Sequence, residues 1–169
     1  MKFFLLFTGL LLVSCTQIPD GIEPVSNFDK TRYLGRWYEI ARLDHPFERG
    51  LSKITATYTL NNDGSIKVVN TGYNEEENKW DVAEGKAYFV SDEDVGHLKV
   101  SFFGPFYASY VIADLDKDNY DWAIVTGPSR EYLWILSRRP ILDEFSLNQS
   151  IEFAKSKGFP VEDLIFVKN

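Results

Sequence analysis

The chain has 169 residues, with 18 Lys and Arg against 25 Asp and Glu, giving a net charge of −7. That balance offers no counter-charge for a phosphate backbone and excludes general nucleic-acid binding. Hydrophobic residues at 44% exclude a disordered chain, and aromatics at 15% suit an aromatic-lined interior, while a single cysteine allows no intrachain disulfide and no Cys-based zinc site.

The first element is a targeting segment. Lys2 precedes Phe3–Val13, an apolar run of 11 residues. A bilayer span needs about 20, so the run has the length of a signal-peptide core. It leads into Leu12-Val13-Ser14-Cys15, which resembles the lipobox of bacterial lipoproteins, where the cysteine is lipidated and becomes the new N-terminus. The competing reading is an ordinary secretory signal with an incidental Cys15. The lipobox resemblance implies a signal peptide over residues 1–14 and a lipidated Cys15. Palmitate-type acyl chains would hold it in a membrane at about 0.8 kcal/mol per buried methylene. Residues 15–26, with two prolines and one glycine, read as the lipidated end and a tether. In that lipoprotein class an aspartate after the cysteine favours the inner membrane, so Thr16 implies the outer membrane of the cell.

Residues 27–169 form one domain. Short runs rich in β-branched and aromatic residues predict strands at Trp37–Arg42, Ile54–Leu60, Ser65–Tyr73, Trp80–Val90, His97–Phe103, Tyr107–Ala113, Asp121–Thr126 and Tyr132–Ser137. Turn formers such as Asn61-Asn62-Asp63-Gly64, Gly104-Pro105 and Gly127-Pro128 separate them. Short connections without intervening helices exclude a parallel sheet and favour an all-β up-and-down barrel or a sandwich. The one long connection, Leu43–Lys53, would form a lid or mouth loop. After Pro140, the apolar residues Ile141, Leu142, Phe145, Leu147, Ile151, Phe153 and Ala154 recur at helical spacing until Gly158-Phe159-Pro160, predicting one helix packed outside the sheet. Leu164–Val167 reads as a short terminal strand.

Three motifs then carry a family resemblance. Gly35-Arg36-Trp37-Tyr38 opens the first strand, Asp118-Asn119-Tyr120 precedes Ala123-Ile124-Val125, and Tyr132-Leu133-Trp134-Ile135-Leu136-Ser137-Arg138 closes the eighth strand. In this order they resemble the lipocalins, in particular the bacterial lipocalins that are outer-membrane lipoproteins. Asp118-Asn119-Tyr120 departs from the Thr-Asp-Tyr often found in the family. The resemblance implies an eight-stranded antiparallel barrel, with Gly35, Trp37 and Arg138 closing one end structurally.

It also implies a ligand in the barrel. Fixing the side-chain alternation on Arg138 turns Trp134 and Leu136 inward. The family-like register adds Ala56, Tyr58, Ala87, Phe89, Leu98, Val100, Phe102, Tyr110 and Ile112 as lining. Such a lining suits the acyl chain of a fatty acid or a lysophospholipid, held for transport, storage or scavenging at the cell envelope. Arg36, Arg42, Arg49 and Lys53 are candidate donors to a headgroup around the mouth. Two other readings stay open: a lipid-modifying enzyme using the same cup, and a filled barrel whose outer surface binds a partner protein. A homodimer is allowed, with no patch assignable from sequence.

No nucleophile–base pair, phosphate loop, cofactor motif or metal-ligand spacing stands out, and the reading is a binding protein without catalytic residues, cofactor or metal. His45 and His97 read as solvated or locally bonded, and Glu75-Glu76-Glu77 and Asp92-Glu93-Asp94 as solvated turns. Glu39 shares the parity of Trp37. It either points inward, where it needs a partner such as Arg42, Arg49 or a tyrosine hydroxyl, or it is exposed in another register.

Overall fold

The computed structural model describes residues 16–169, so the signal segment and Cys15 lie outside the described residues. Eight antiparallel strands follow one another: β1 (Gly35–Arg42), β2 (Leu51–Leu60), β3 (Ile66–Asn74), β4 (Lys79–Phe89), β5 (His97–Phe103), β6 (Phe106–Leu115), β7 (Trp122–Thr126) and β8 (Leu133–Ser137). Each pairs with the next, and β1 pairs with both β8 and β2, which closes the sheet into a barrel. All eight expected strands are present. β2 begins three residues earlier than expected because Lys53, at φ 50, sits in a bulge that breaks the alternation.

The connections are built by local hydrogen bonding. In the β2–β3 turn, Asp63 accepts from the Ser65 amide and Gly64 takes φ +83, a conformation that favours glycine. In β3–β4, the Asn74 side chain accepts from the amides of Glu76 and Glu77. The acidic turns at 75–77 and 92–94 are exposed.

Alternation sorts the apolar residues into two cores. One fills the barrel around Trp37, Tyr58, Val68, Ile112 and Val125. The other lies outside the β6–β8 wall, where Val111, Trp122, Ile124 and Ile135 meet Leu142 and Ala154 of the helical segment. Helix α2 (Glu144–Ser156) is capped by Asp143, which accepts from the Ser146 amide. Its packed stripe runs through Leu147, Ser150, Ile151 and Ala154, whereas Ile141 precedes the helix and Phe145 points to water.

A one-turn helix, α1 (Lys30–Tyr33), was not expected from the sequence. Four residues give no periodicity to detect, although its cap is readable: Asp29 accepts from the amides of Thr31 and Arg32. At the other terminus, β9 (Ile165–Phe166) pairs with Ala41 and Arg42 of β1, and the Lys53 amide bonds the Lys168 carbonyl at 2.7 Å. The C-terminal segment thus fills the seam where β1 and β2 diverge. Residues 16–26, expected as a tether, run against the barrel. Pro19, Ile22 and Val25 are buried, and the Val25 amide bonds the Ile112 carbonyl at 2.9 Å.

Candidate functional site: a cup with a sealed floor

In an up-and-down barrel the alternate connections lie at opposite ends. The β2–β3, β4–β5 and β6–β7 connections share the end where β1 starts, and the β1–β2, β3–β4, β5–β6 and β7–β8 connections share the other.

The first end is sealed. The Arg138 guanidinium lies over the Trp37 indole, 3.8 Å from its centroid, and its three nitrogens donate to the carbonyls of Tyr120, Arg36 and Arg32. Trp37 Nε1 donates to the Tyr33 carbonyl at 2.8 Å. Gly35, at φ +97, sits where a Cβ would stand 3.4 Å from Arg138 Nη1, so a side chain there meets both backbone strain and a crowded guanidinium. Phe28 packs against Tyr33, Phe89 and Tyr120 beneath the floor. The structure therefore brings the expected closing trio of Gly35, Trp37 and Arg138 together.

Above the floor, the hydroxyls of Tyr33, Tyr110 and Tyr58 form a chain, with 2.7 Å from Tyr33 to Tyr110 and 2.8 Å from Tyr110 to Tyr58. Burial raises all three phenols well above their ordinary range, with Tyr58 pushed up to about 12. They stay neutral at physiological pH and satisfy one another.

A charged cluster sits higher on the same inner face. A bulge between Glu39 and Ala41 turns Ile40 and Ala41 outward and leaves Glu39 and Arg42 buried together, with Arg42 Nη1 donating to Glu39 Oε1 at 3.1 Å. This resolves the two registers left open by the sequence in favour of the inward one. Arg42 Nη2 donates to the Glu48 carbonyl, and Trp134 Nε1 donates to Glu48 Oε2. Burial, and then the charge of Glu48, push the Glu39 carboxyl well above the usual carboxylate range, against the pull of Arg42. Asn70 Oδ1 is buried without a hydrogen-bond partner, as is Arg42 Nε, which lies 3.9 Å from Glu48 Oε2. Asn70 has the parity of Ile66 and Val68, so it faces the lumen, a polar contribution that the apolar pattern of β3 conceals.

All eleven expected lining residues belong to the inner cluster, and they differ in burial. Tyr58, Ala87, Leu98, Ile112 and Leu136 are buried, while Ala56, Phe89, Val100, Phe102, Tyr110 and Trp134 keep part of their surface although they point inward. The mouth cations divide differently from expectation. Arg36 belongs to the sealed end, where its carbonyl receives Arg138. Arg42 is buried, Arg49 is engaged with Asp44 in a bidentate pair, and Lys53 lies over the Tyr73 ring. Sequence reading counted all four as mouth donors because parity and loop membership do not reveal a cation's partners. His97 is buried and shares a hydrogen bond with Ser109, and His45 stacks against Phe47 and Tyr132 at the mouth.

An up-and-down barrel with a Trp–Arg floor and an outer helix is the architecture of a lipocalin. The sequence profile of the lipocalin-like domain matches residues 28–169, and the chain belongs to that family. It is 53% identical over 165 residues to outer membrane lipoprotein Blc of Vibrio cholerae serotype O1, covering 98% of this chain and 96% of that one. Against outer membrane lipoprotein Blc of Escherichia coli K12 it is 49% identical over 95% of this chain and 91% of the relative. Among solved structures, insecticyanin from the tobacco hornworm Manduca sexta superposes with a TM-score of 0.72 at 18% identity, covering 90% of this chain and 87% of that one. With relatives of this closeness over nearly the whole length, the protein's place is the outer membrane, where it is lipid-anchored.

Proposed function

We propose that the protein binds one fatty acid or lysophospholipid, acyl chain down, in the barrel, and carries, stores or scavenges such lipids at the outer membrane. The observation that carries this reading is the uneven burial of the lumen. The floor is sealed, while six inward side chains, among them Ala56, Val100 and Phe102, retain open surface. Open apolar surface facing inward is a place for an alkyl chain, and each methylene removed from water contributes about 0.8 kcal/mol. Arg42 Nε and Asn70 Oδ1, both without a hydrogen bond, are polar atoms near which a headgroup would find a donor and an acceptor.

The reading is of a binder and not an enzyme. The tyrosine hydroxyls bond each other, and Glu39, Arg42 and Glu48 are engaged in ion pairing. These polar groups are arranged to satisfy one another and leave no nucleophile resting against a free base. The test is native mass spectrometry of the chain from Thr16 to Asn169, purified from cells, with bound lipid extracted and identified. One stoichiometric fatty acid or lysophospholipid is expected. A protein that arrives empty and takes up neither class when offered refutes lipid carriage.

A further inference from the structure

The anchored protein has very little slack. Pro19 and Ile22 are buried, Ile18 packs on the outer core, and the Thr16 backbone lies against the His97 ring. One peptide unit spans about 3.8 Å between Cα atoms, so a lipidated Cys15 has its acyl chains attached within a few ångströms of that spot. His97 is bonded to Ser109, so the attachment point is the outer face of β5 and β6.

From that point the same face runs toward the mouth. Outward positions alternate along each strand, so Lys99 and Tyr107 follow His97 and Ser109; past a bulge between Val100 and Phe103, Phe103 pairs with Phe106 at the β5–β6 tip. The distance from His97 to Phe103 is about 20 Å at 3.3 Å per residue. Lys99 lies over the Tyr107 ring and forms no ion pair among the described residues, and Tyr88 of β4 packs beside Tyr107. Continuing the Lys86–Ser101 register places Phe103 across from Glu84, with Val82 and Trp80 next along β4. Here the exposure is high: Phe103 is 71% exposed, Phe106 75%, Val82 61% and Trp80 56%. The charges within this stretch are already paired, Glu84 with Lys67 and Lys86 with Asp63.

We propose that this outer wall of β4–β6 lies on the bilayer that holds the anchor, so that the barrel rests on its side with the mouth rim against the lipid headgroups. Tyr88, Tyr107 and Trp80 have the amphipathic character that favours the membrane–water interface, Phe103 and Phe106 enter the acyl boundary, and Lys99 reaches the headgroup phosphates. Apolar groups left in water at the end of a leash one residue long are the groups a nearby bilayer covers. A carrier so placed receives a lipid from the membrane plane without release into solution. The inference rests on lipidation of Cys15 and does not depend on which lipid the cup holds.

Trp80 provides the readout, since Trp37 and Trp122 are buried and Trp134 is half-buried inside the barrel. The full-length lipoprotein, its Cys15 acylation checked by intact mass, is reconstituted into phosphatidylethanolamine–phosphatidylglycerol vesicles whose acyl chains are brominated near the headgroup. The Trp80 contribution, isolated by difference against Trp80→Phe, is expected to be quenched at least twofold relative to unbrominated vesicles. The double variant Phe103→Ser with Phe106→Ser is expected to lose at least half of that quenching. Unquenched Trp80 in an acylated protein overturns the proposal. Trp80 shielded from aqueous acrylamide but not quenched by bromine shows that a second copy covers the wall, and also overturns it. A protein without acyl mass at Cys15 removes the anchor itself, a failure that the mass separates from the others.

Discussion

Arg138 and Trp37, 101 positions apart in the chain, form a stacked pair, with the guanidinium carbon 3.8 Å from the indole centroid. The stack joins β1 to the end of β8, and the same guanidinium ties both to the β6–β7 connection through Tyr120 and to α1 through Arg32. One side chain thus secures four segments of the sealed end. Arg138→Ala removes a cation–π contact and three charge-assisted hydrogen bonds, leaving carbonyls to water at a half-exposed site. The expected cost is about 2–4 kcal/mol, read from urea unfolding at pH 7. Arg138→Lys, which keeps the charge but loses the planar fork, should recover less than half of it.

The hydroxyl chain of Tyr33, Tyr110 and Tyr58 has Tyr110 at its centre, bonded to both others. Tyr110→Phe therefore orphans two buried hydroxyls at once and is expected to cost about 1–3 kcal/mol, more than Tyr58→Phe. Ultraviolet titration gives a second readout. The chain has nine tyrosines, and these three should ionise after the rest, Tyr58 near 12. A phenol raised in the folded state is protonated there when its unfolded counterpart has already ionised. Stability is thus lost as pH climbs past 10, and Tyr110→Phe should remove one of the three late steps.

Glu39 makes a pH prediction of the same sign at lower pH. Its folded-state affinity for a proton is raised by burial and by Glu48, so folded chains hold a proton that unfolded chains release above the ordinary carboxylate range. Stability is complete below that range and falls as pH rises toward the raised value. Glu39→Gln keeps the neutral shape and removes the titration. The stability difference between pH 5 and pH 8, measured by denaturant unfolding, should shrink in the variant. An unchanged or steeper difference would mean that Glu39 is ionised in the fold.

The strands, the outer helix and the closing trio were legible because each leaves a periodic or motif-scale trace. Eight alternating runs and one 3.6-residue pattern leave a barrel or a sandwich open, and the lipocalin resemblance carried by Gly-x-Trp and a distant Arg implies the barrel and its sealed end. The elements that escaped leave no such trace. α1 is a single turn, yet it sends Tyr33 into the lumen, and neither the bulge that points Glu39 and Arg42 inward nor the lumen position of Asn70 is encoded in apolar alternation. Arg36 and Arg42 are six positions apart on one strand and lie near opposite ends of the barrel, one at the floor and the other beside the mouth loop. Loop and strand membership alone could not separate them.

Two inward alanines that sequence cannot tell apart make opposite predictions. Ala56, on β2, is only half-buried, whereas Ala87, on β4, is 4% exposed. Ala56→Trp places an indole where an acyl chain would lie, with room to accept it. The expected result is at least a tenfold loss of affinity for a fatty acid or lysophospholipid and a stability change below about 1 kcal/mol. Ala87→Phe forces a ring into occupied space beside Ile66 and Val100, its partners across β3 and β5, and should cost about 1–3 kcal/mol. Isothermal titration and urea unfolding on both variants resolve the outcome. If Ala56→Trp binds lipid as tightly as the native chain, the acyl chain does not lie against Ala56. If Ala87→Phe is tolerated without loss, the lumen beside Ala87 holds more space than its burial implies.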